Sequence, residues 1–383
     1  MNNNRLGKVL VEENGYYHND KPVICKGKKS KNKKPVVVEL FCGCGGTSLG
    51  FEMAGYDVVL GLDIHSPSIE TFKINHPHAT TILGDIRTVE SETIKKLIGN
   101  RAIDVLIGGV PCQGFSLNNK KRNSEDERNF LYKEFIRIAK DLKPKAIVIE
   151  NVSGMKSTKN GEFVNSIESE MSEIGNYSVN SNLLNALDYG VPQKRQRLVF
   201  IAVNKNNPFL FDEIIKTHGL GRSKDYVTIK EAIGDLPNLN SGETGFEYKS
   251  EPFSDYQKLM RVTASERLLN HQAPNHPEDT IKKIADTSPG KPMYPKFKQR
   301  IRLAWDIQSP TQVSGGIRPQ FQFGHPEDNR GLTIRERCRI QSFPDNFEVC
   351  GGIVQGRVQT GNAVPPLLAK AIAEALKSHL EDK

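Results

Sequence analysis

No apolar stretch among the 383 residues is long enough to span a bilayer, and the first residues, MNNNRLGKVLVEENGYY, lack the apolar core of a signal peptide. A cytosolic protein is therefore expected. Cysteine is scarce and unpatterned: Cys25, Cys42, Cys44, Cys112, Cys338 and Cys350 form no CxxC pair and no Cys/His zinc spacing. Neither a disulfide framework nor a structural metal is indicated. Cys42-Gly43-Cys44 reads as small residues in a tight turn, and His76-Pro77-His78 as loop. With 32 Gly and 21 Pro the chain is too poor in both for disorder throughout, and 37% hydrophobic against 26% charged residues is the balance of a globular protein. No internal repeat is present. Acidic residues fall short of basic ones, 45 against 53, for a formal charge of +8. Such an excess favours an acidic partner, nucleic acid first. Six of the lysines, however, sit in one run from Lys26 to Lys34 (KGKKSKNKK), so charge alone leaves the partner open.

After that basic arm the text changes at Pro35. PVVVELF is a short apolar run bounded by a glycine-rich turn, the pattern of a buried parallel strand. Val58–Leu62, Val105–Ile107, Ala146–Ile149 and Leu198–Val203 repeat it, separated by segments such as Leu131–Leu142 with helical spacing. The alternation predicts an α/β fold, a Rossmann-like doubly wound sheet that is largely parallel. From about Asn204 to Asp328 the pattern dissolves into polar, Gly- and Pro-punctuated sequence, which predicts a smaller, irregular second lobe. Pro365–Leu380 opens with prolines and continues with apolar residues three and four apart, predicting a helix.

Four constellations lie where such a sheet binds ligands. Phe41-Cys-Gly43-Cys-Gly45-Gly46 follows the first strand, and Asp63 ends the next. Glycines let the backbone approach a ligand, and a carboxylate about 20 residues on can accept from both ribose hydroxyls. Ser48 breaks the dinucleotide pattern, so a nucleoside without a pyrophosphate, such as S-adenosylmethionine, fits better than a dinucleotide; packing alone is the competing reading of the turn. Pro111-Cys112-Gln113-Gly114-Phe115-Ser116 lies just beyond the third strand, where Cys112 could be a nucleophile if its neighbours lower its pKa, or a small buried hydrophobe. Glu150-Asn151-Val152 exits the AIVI strand; in an apolar site the Glu150 pKa would rise, letting it hold and donate a proton, though a helix-capping role is equally open. In Gln193-Lys-Arg195-Gln-Arg197 the two arginines alternate and would share a strand face, suiting a phosphate and a carbonyl oxygen; a solvated charge run is the plainer alternative.

Together these motifs resemble the cytosine-5 DNA methyltransferase family of prokaryotic restriction-modification type. The resemblance runs from about Pro35 to the C-terminus except across the middle lobe. Pro111-Cys112-Gln113, Glu150-Asn151-Val152, Gln193-x-Arg195-x-Arg197, Arg330-Gly-Leu-Thr-Ile-Arg335-Glu336, Gln341-Ser-Phe343-Pro344-Asp345 and Gly361-Asn362-Ala363-Val364 carry it. Beyond the basic arm, which its lysine-rich composition predicts to be flexible over 1–34, it implies a catalytic, cofactor-binding domain at 35–205, a target-recognition domain at 206–354, and a segment at 355–383 that returns to the catalytic domain. It implies S-adenosylmethionine as cofactor without a metal, held by Phe41, Gly43, Gly45, Gly46, Asp63, Ile64, Asp85 and Ile86, with Asn362 and Ala363 closing the pocket. Ile64 stands where some members carry a large aromatic, so adenine stacking would be weaker here.

For the chemistry the resemblance implies Cys112 as nucleophile, with Glu150, Arg195 and Arg197 around the base. Gln113, Ser116 and Thr311 would meet DNA, and the loop from Asn118 to Asp126 would close over a flipped-out cytosine. Expected partners are double-stranded DNA and a cognate restriction endonuclease, with the protein a monomer that touches no membrane. Two alternatives remain in view. The tRNA cytosine-5 branch of the family usually lacks a large recognition region and carries a Cys-Phe-Thr signature missing here. A DNA-binding regulator that has lost catalysis would not need Cys112, Glu150 and Arg197 together.

Overall fold

The computed structural model describes residues 15–17, 19, 21–28, 33–99, 101–111, 131–264, 267–314 and 321–381. The chain forms two compact units, the first from Met1–Leu184, Arg197–Ile214 and Ile372–Lys383, the second from Asn185–Gln196 and Ile215–Ala371. Among the described residues no helix is long and apolar enough to cross a membrane.

The first unit is built on an eight-stranded sheet. Its strands, in chain order, are β1 (Val23–Cys25), β2 (Val36–Leu40), β3 (Asp57–Asp63), β4 (Thr80–Leu83), β5 (Val105–Gly108), β6 (Ala146–Val152), β7 (Tyr177–Asn185) and β9 (Gln196–Asn204); β8 (Gln193–Lys194) lies elsewhere. They are arranged β1-β4-β3-β2-β5-β6-β9-β7. The β2–β3, β3–β4, β2–β5 and β5–β6 pairs are parallel, whereas β1–β4 and β6–β9 are antiparallel. Every residue of β2 (VVVEL) and β5 (VLIG) is buried, as befits central parallel strands covered on both faces. Chain order runs outward from β2 to β3 and β4, then returns to β5 and β6, so strand order reverses between β2 and β5. The carboxyl ends of strands at such a reversal form the ligand crevice of open α/β sheets.

Helices α1 (Gly46–Met53), α2 (Ser66–Asn75), α3 (Ser91–Ile98), α4 (Leu131–Leu142) and α5 (Glu162–Ser172) belong to this unit. In α4, Tyr132, Phe135, Ile136 and Ala139 are buried at three- and four-residue spacing and join Val38, Leu106, Ile147 and Phe200 in one core. Three strands of this sheet are predicted by no pattern: β4, and the two edge elements β1 and β7. Residues 15–28, placed in the flexible arm by sequence, are not free throughout: Val23–Cys25 pairs with Leu83–Thr81 and so covers the β4 edge. Three consecutive apolar or small residues (VIC) between lysine-rich neighbours give too short a signal to read, but an open sheet edge supplies the partner.

The second unit has little regular structure: α6 (Ile229–Ile233), α7 (Asp255–Arg261), α8 (Glu278–Ala285), α9 (Ile334–Ile340), α10 (Gly352–Asn362) and a two-stranded ladder in which β10 (Ser309–Pro310) runs parallel to β8. Thr333 and Glu336 form a capping box at α9, all seven residues of which are buried. The final helix, α11 (Pro366–Leu376), ends before Leu380, with a 3-10 turn over Lys377–His379.

Candidate active site at the carboxyl ends of the strands

Leaving β2, the chain turns sharply enough that Phe41 takes a φ of +58°, Gly43 +52° and Gly45 +92°. Cys42 N–H donates to the Leu62 carbonyl (2.9 Å), and Gly45 N–H to that of Cys42 (3.0 Å). The turn therefore stays against the end of β3. There the Asp63 carboxylate accepts from Gly43 N–H and from His65 N–H, both at 2.8 Å. Burial raises the Asp63 pKa, and these backbone donors work against the rise. A side chain at position 43 would meet nothing within 4 Å, so the turn is open on the side where a ligand would approach.

Glu39 is a member of this site that the apolar run concealed. It is 2% exposed, accepts from Ser48 N–H (3.1 Å) and Ser48 Oγ, and so serves a donor that the first turn of α1 leaves without an intrahelical partner. Burial pushes its carboxyl up to about 7 despite the Ser48 bonds. The only available signal was one acidic residue inside VVVELF. Burial, with Asp63 and Glu39 nearby, also pushes the Cys42 thiol well up, and burial pushes Cys338 to about 11. Neither is a ready thiolate at neutral pH.

Ile64, half-buried, accepts from Tyr17 N–H (2.9 Å), while Ser66 N–H donates to Gly15 (2.8 Å). The Tyr16 and His65 rings lie 5.3 Å apart. Residues 15–17 thus line the link that follows Asp63, a placement with no counterpart in the sequence reading. At the end of β4, Asp85 caps the 3-10 turn Ile86–Thr88 by accepting from Arg87 N–H (2.9 Å). The Arg87 guanidinium engages both Asp85 oxygens, the shorter contact at 2.6 Å. Ile86 is buried.

The third and fourth constellations meet. A Cβ at Gly109, just past β5, would lie 3.3 Å from the Phe41 carbonyl and 3.9 Å from Glu150 Oε2. Asn151 Nδ2 donates to the Val110 carbonyl (3.3 Å), holding the stretch that leads into Pro111. Antiparallel pairing of β6 with β9 sets Val152 opposite Arg197, so Arg197 and Glu150 occupy one face. Their side chains form an ion pair, Nε to Oε1 2.5 Å, with little solvent exposure. Burial lowers the Arg197 pKa and Glu150 opposes that shift. Cys112, Gln113, Ser116 and the loop 118–126 lie outside the described residues.

Arg195 does not share Arg197's partner. It lies between β8 and β9, where the strand is interrupted, and donates to the carbonyls of Gln312 (3.0 Å) and Gly361 (2.8 Å) within the second unit. Thr311 Oγ1 donates to the Lys194 carbonyl (2.6 Å), and Gln312 N–H to Gln193 Oε1 (3.0 Å). Both tie β10 to β8. Asn362 is exposed at the end of α10, and Ala363 is buried; both belong to the second unit, Phe41 and Asp63 to the first.

The profile of the family described as C-5 cytosine-specific DNA methylase matches residues 36–378. The chain is 36% identical to Type II methyltransferase M1.HphI of Haemophilus parahaemolyticus, over 88% of this chain and 86% of that protein. It is also 36% identical to Type II methyltransferase M.DdeI of Desulfomicrobium norvegicum, over 90% and 89%. A solved structure of a proposed DNA modification methyltransferase encoded within an E. coli prophage superposes with a TM-score of 0.76, covering 90% of this chain and 99% of that one at 28% identity. S. pombe Dnmt2 methyltransferase, at 16% identity and a TM-score of 0.61, shares the fold.

Proposed function

Because the chain belongs to the C-5 cytosine-specific DNA methylase family and is a cytosine-5 DNA methyltransferase of Type II kind, we propose that it methylates a cytosine flipped out of duplex DNA, with Cys112 as nucleophile. The observation that carries this reading is the convergence of Phe41, Gly109, Glu150 and Arg197 at the strand ends from which the Cys112 segment departs. S-adenosylmethionine is the methyl donor in this reading, and it supplies an electrophilic methyl group on a sulfonium. Asp63, held by Gly43 and His65 N–H, keeps acceptor capacity for the ribose hydroxyls, and the space beside Gly43 is open. Phe41, Gly45, Gly46, Ile64, Asp85 and Ile86 complete the pocket, and the family resemblance adds Asn362 and Ala363 to the residues that serve the cofactor. Asp85 has to share its carboxylate with Arg87 to contact adenine.

Carbon 5 of cytosine is a weak nucleophile because the ring delocalises its electrons. The Cys112 thiolate adds to carbon 6, and Glu150, a carboxylate in its ion pair with Arg197 that must first take up a proton, passes that proton to ring nitrogen 3, which leaves an enamine able to attack the methyl group through carbon 5. Arg197 steadies Glu150 and holds the oxygen at carbon 2, while Arg195 acts from behind by fixing the β8–β10 ladder. A base, directly or through water, then removes the carbon 5 proton, the thiolate leaves, and nitrogen 3 returns its proton. Gln113, Ser116 and Thr311 meet DNA, and base reading belongs to the recognition domain at 206–354. The protein acts in the cytoplasm as a monomer beside a restriction endonuclease of the same target sequence.

Duplex DNA carrying 5-fluorocytosine at the target should become covalently attached to Cys112, and only with S-adenosylmethionine present. Addition and methyl transfer can proceed, but fluorine cannot leave as a cation, so the adduct persists. Peptide mass spectrometry would locate the bond. Cys112→Ser should abolish it, whereas Cys42→Ser should not; attachment at another cysteine would overturn the assignment.

A further inference from the structure

Nearly every buried arginine of the second unit has named acceptors. Arg330 meets Glu336 and Asp328, Arg339 meets Asp235 and Asp345, and Arg302 and Arg335 meet three or more backbone carbonyls each. Arg357, in the middle of α10, breaks the rule. It is 8% exposed, yet no acceptor meets its guanidinium among the described residues. Its neighbours are cations. Arg337 reaches across to the Arg357 carbonyl (3.4 Å) while binding Thr360 Oγ1 (2.8 Å) and the Val313 carbonyl (3.1 Å). Burial and then Arg300 hold the Arg357 guanidinium below its ordinary value, and burial and then Arg357 bring Arg337 down to about 9. Among the described residues no carboxylate counters either. His276 cannot supply a charge of opposite sign: its Nε2 accepts from Gly331 N–H (3.0 Å), and burial with Arg357 and Arg330 takes it to about 4.

A guanidinium largely withdrawn from water without a partner is costly, and a folded protein can retain one where a ligand completes it. The ligand must be an anion with several acceptor oxygens, which is what a planar fork of donors fits. The segment carrying Arg300 adds Lys296 and Lys298, both exposed, and Phe297, 40% exposed with the Arg300 guanidinium 4.6 Å from its ring centroid. This is the character of a surface that tracks a nucleic-acid backbone. We propose that Arg357, with Arg300 beside it, seats a backbone phosphate of the DNA substrate. The inference rests on the DNA methyltransferase reading and adds a phosphate site to it.

Equilibrium binding to duplexes with and without the target sequence tests it, using wild type, Arg357→Met and Arg357→Lys from about 50 to 200 mM salt. Losing one phosphate contact should lower the slope of log K against log salt by about 0.9, so Arg357→Met should lose about 3.5-fold less affinity over that range than wild type, equally on both duplexes. Arg357→Lys should recover most of the slope. Free Arg357→Met should melt no lower than wild type, because an unpartnered buried charge has been removed; an arginine that only supports the fold would give the opposite. An unchanged slope in folded Arg357→Met overturns the site. Stabilisation by inorganic phosphate that Arg357→Met abolishes, with the DNA slope intact, would mark a free-anion site and also overturn it. Failure of wild type to bind either duplex would instead defeat the methyltransferase reading.

Discussion

The two units solve the problem of buried backbone in different ways. In the first, neighbouring strands satisfy one another's N–H and C=O groups, and apolar side chains fill the layers; Leu40, Leu60, Leu106, Phe135, Ile147 and Phe200 are essentially inaccessible to solvent. Its charged residues Asp63, Glu150 and Arg197 stand at strand ends, where Asp63 meets backbone donors and Glu150 and Arg197 meet each other. The second unit has short helices and ladders of two residues, so many carbonyls lack a partner from regular structure. Arginine takes over that work. Arg335 donates to Leu269, Pro344 and Phe347, Arg302 to Ile284, Thr287, His325 and Glu327, and Arg330 and Arg339 combine carbonyls with buried carboxylates. Each guanidinium brings five donors on one rigid plane, which suits a backbone that arrives from several directions. An arginine-bound scaffold can thus hold an irregular backbone that no continuous sheet could accommodate.

If charge is scaffold in one unit and ligand site in the other, substitutions should separate the two roles. The largest effect is expected from Arg339→Met. It would remove the main cation from Asp235 and Asp345, both buried, leaving Asp235 with Arg261 (3.3 Å) and Asp345 with the Tyr248 hydroxyl (2.7 Å) and a more distant Arg335 (3.8 Å), and cost about 3 kcal/mol of stability. Denaturant unfolding would measure the loss, and a cost below about 1 kcal/mol would mean that these ion pairs are not what holds the unit. Asp63→Ala should weigh the other way: S-adenosylmethionine affinity falls by roughly 1.5 to 3 kcal/mol in calorimetry, while stability falls by less than in Arg339→Met, since only the Gly43 and His65 N–H groups lose an acceptor. A large drop in melting with unchanged affinity would make Asp63 scaffold too.

The smallest difference lies in the response to acid. In the second unit Asp328, Glu336 and Asp345 are held below the usual carboxylate range by their arginine and histidine neighbours, and burial takes His276 and His325 to about 4. For groups depressed in the folded state the unfolded chain binds protons first. Stability is therefore lost as pH falls, through the histidines from about 6.5 and through the carboxylates below about 4. Glu39 in the first unit is raised to about 7, so the folded form binds the proton first and gains stability as pH falls from about 7 towards its unfolded value. Amide exchange at about pH 7.5 and 5.5, corrected for intrinsic rates, should show protection falling in the second unit but not around β2 and α1. Equal loss in both would erase this distinction.

Reading by pattern succeeded where a side chain's environment follows from its own strand. VVVELF, VLI and AIVI could only be buried strands, and the residues just after them had to emerge where ligands bind. It was weaker where the partner decides. β7 (YSVNSNLLN) is polar at most positions and half-buried along much of its length, so no alternation marks it. Alternation of Arg195 and Arg197 suggested two guanidiniums on one face, but the strand breaks at Arg195 and each side chain goes to a different partner.

From the amino-acid order alone follow the α/β class and the family, because motif spacing and strand period are local properties of the chain. Tertiary structure alone decided that Glu150 faces Arg197, that Glu39 supports the first turn of α1 beneath the glycine turn, that residues 15–17 run beside Ile64, and that Arg357 is buried with no acceptor among the described residues. Those are encounters between residues distant in sequence or between side chains and loops. Their geometry depends on which strand lies beside which, and no local period encodes that.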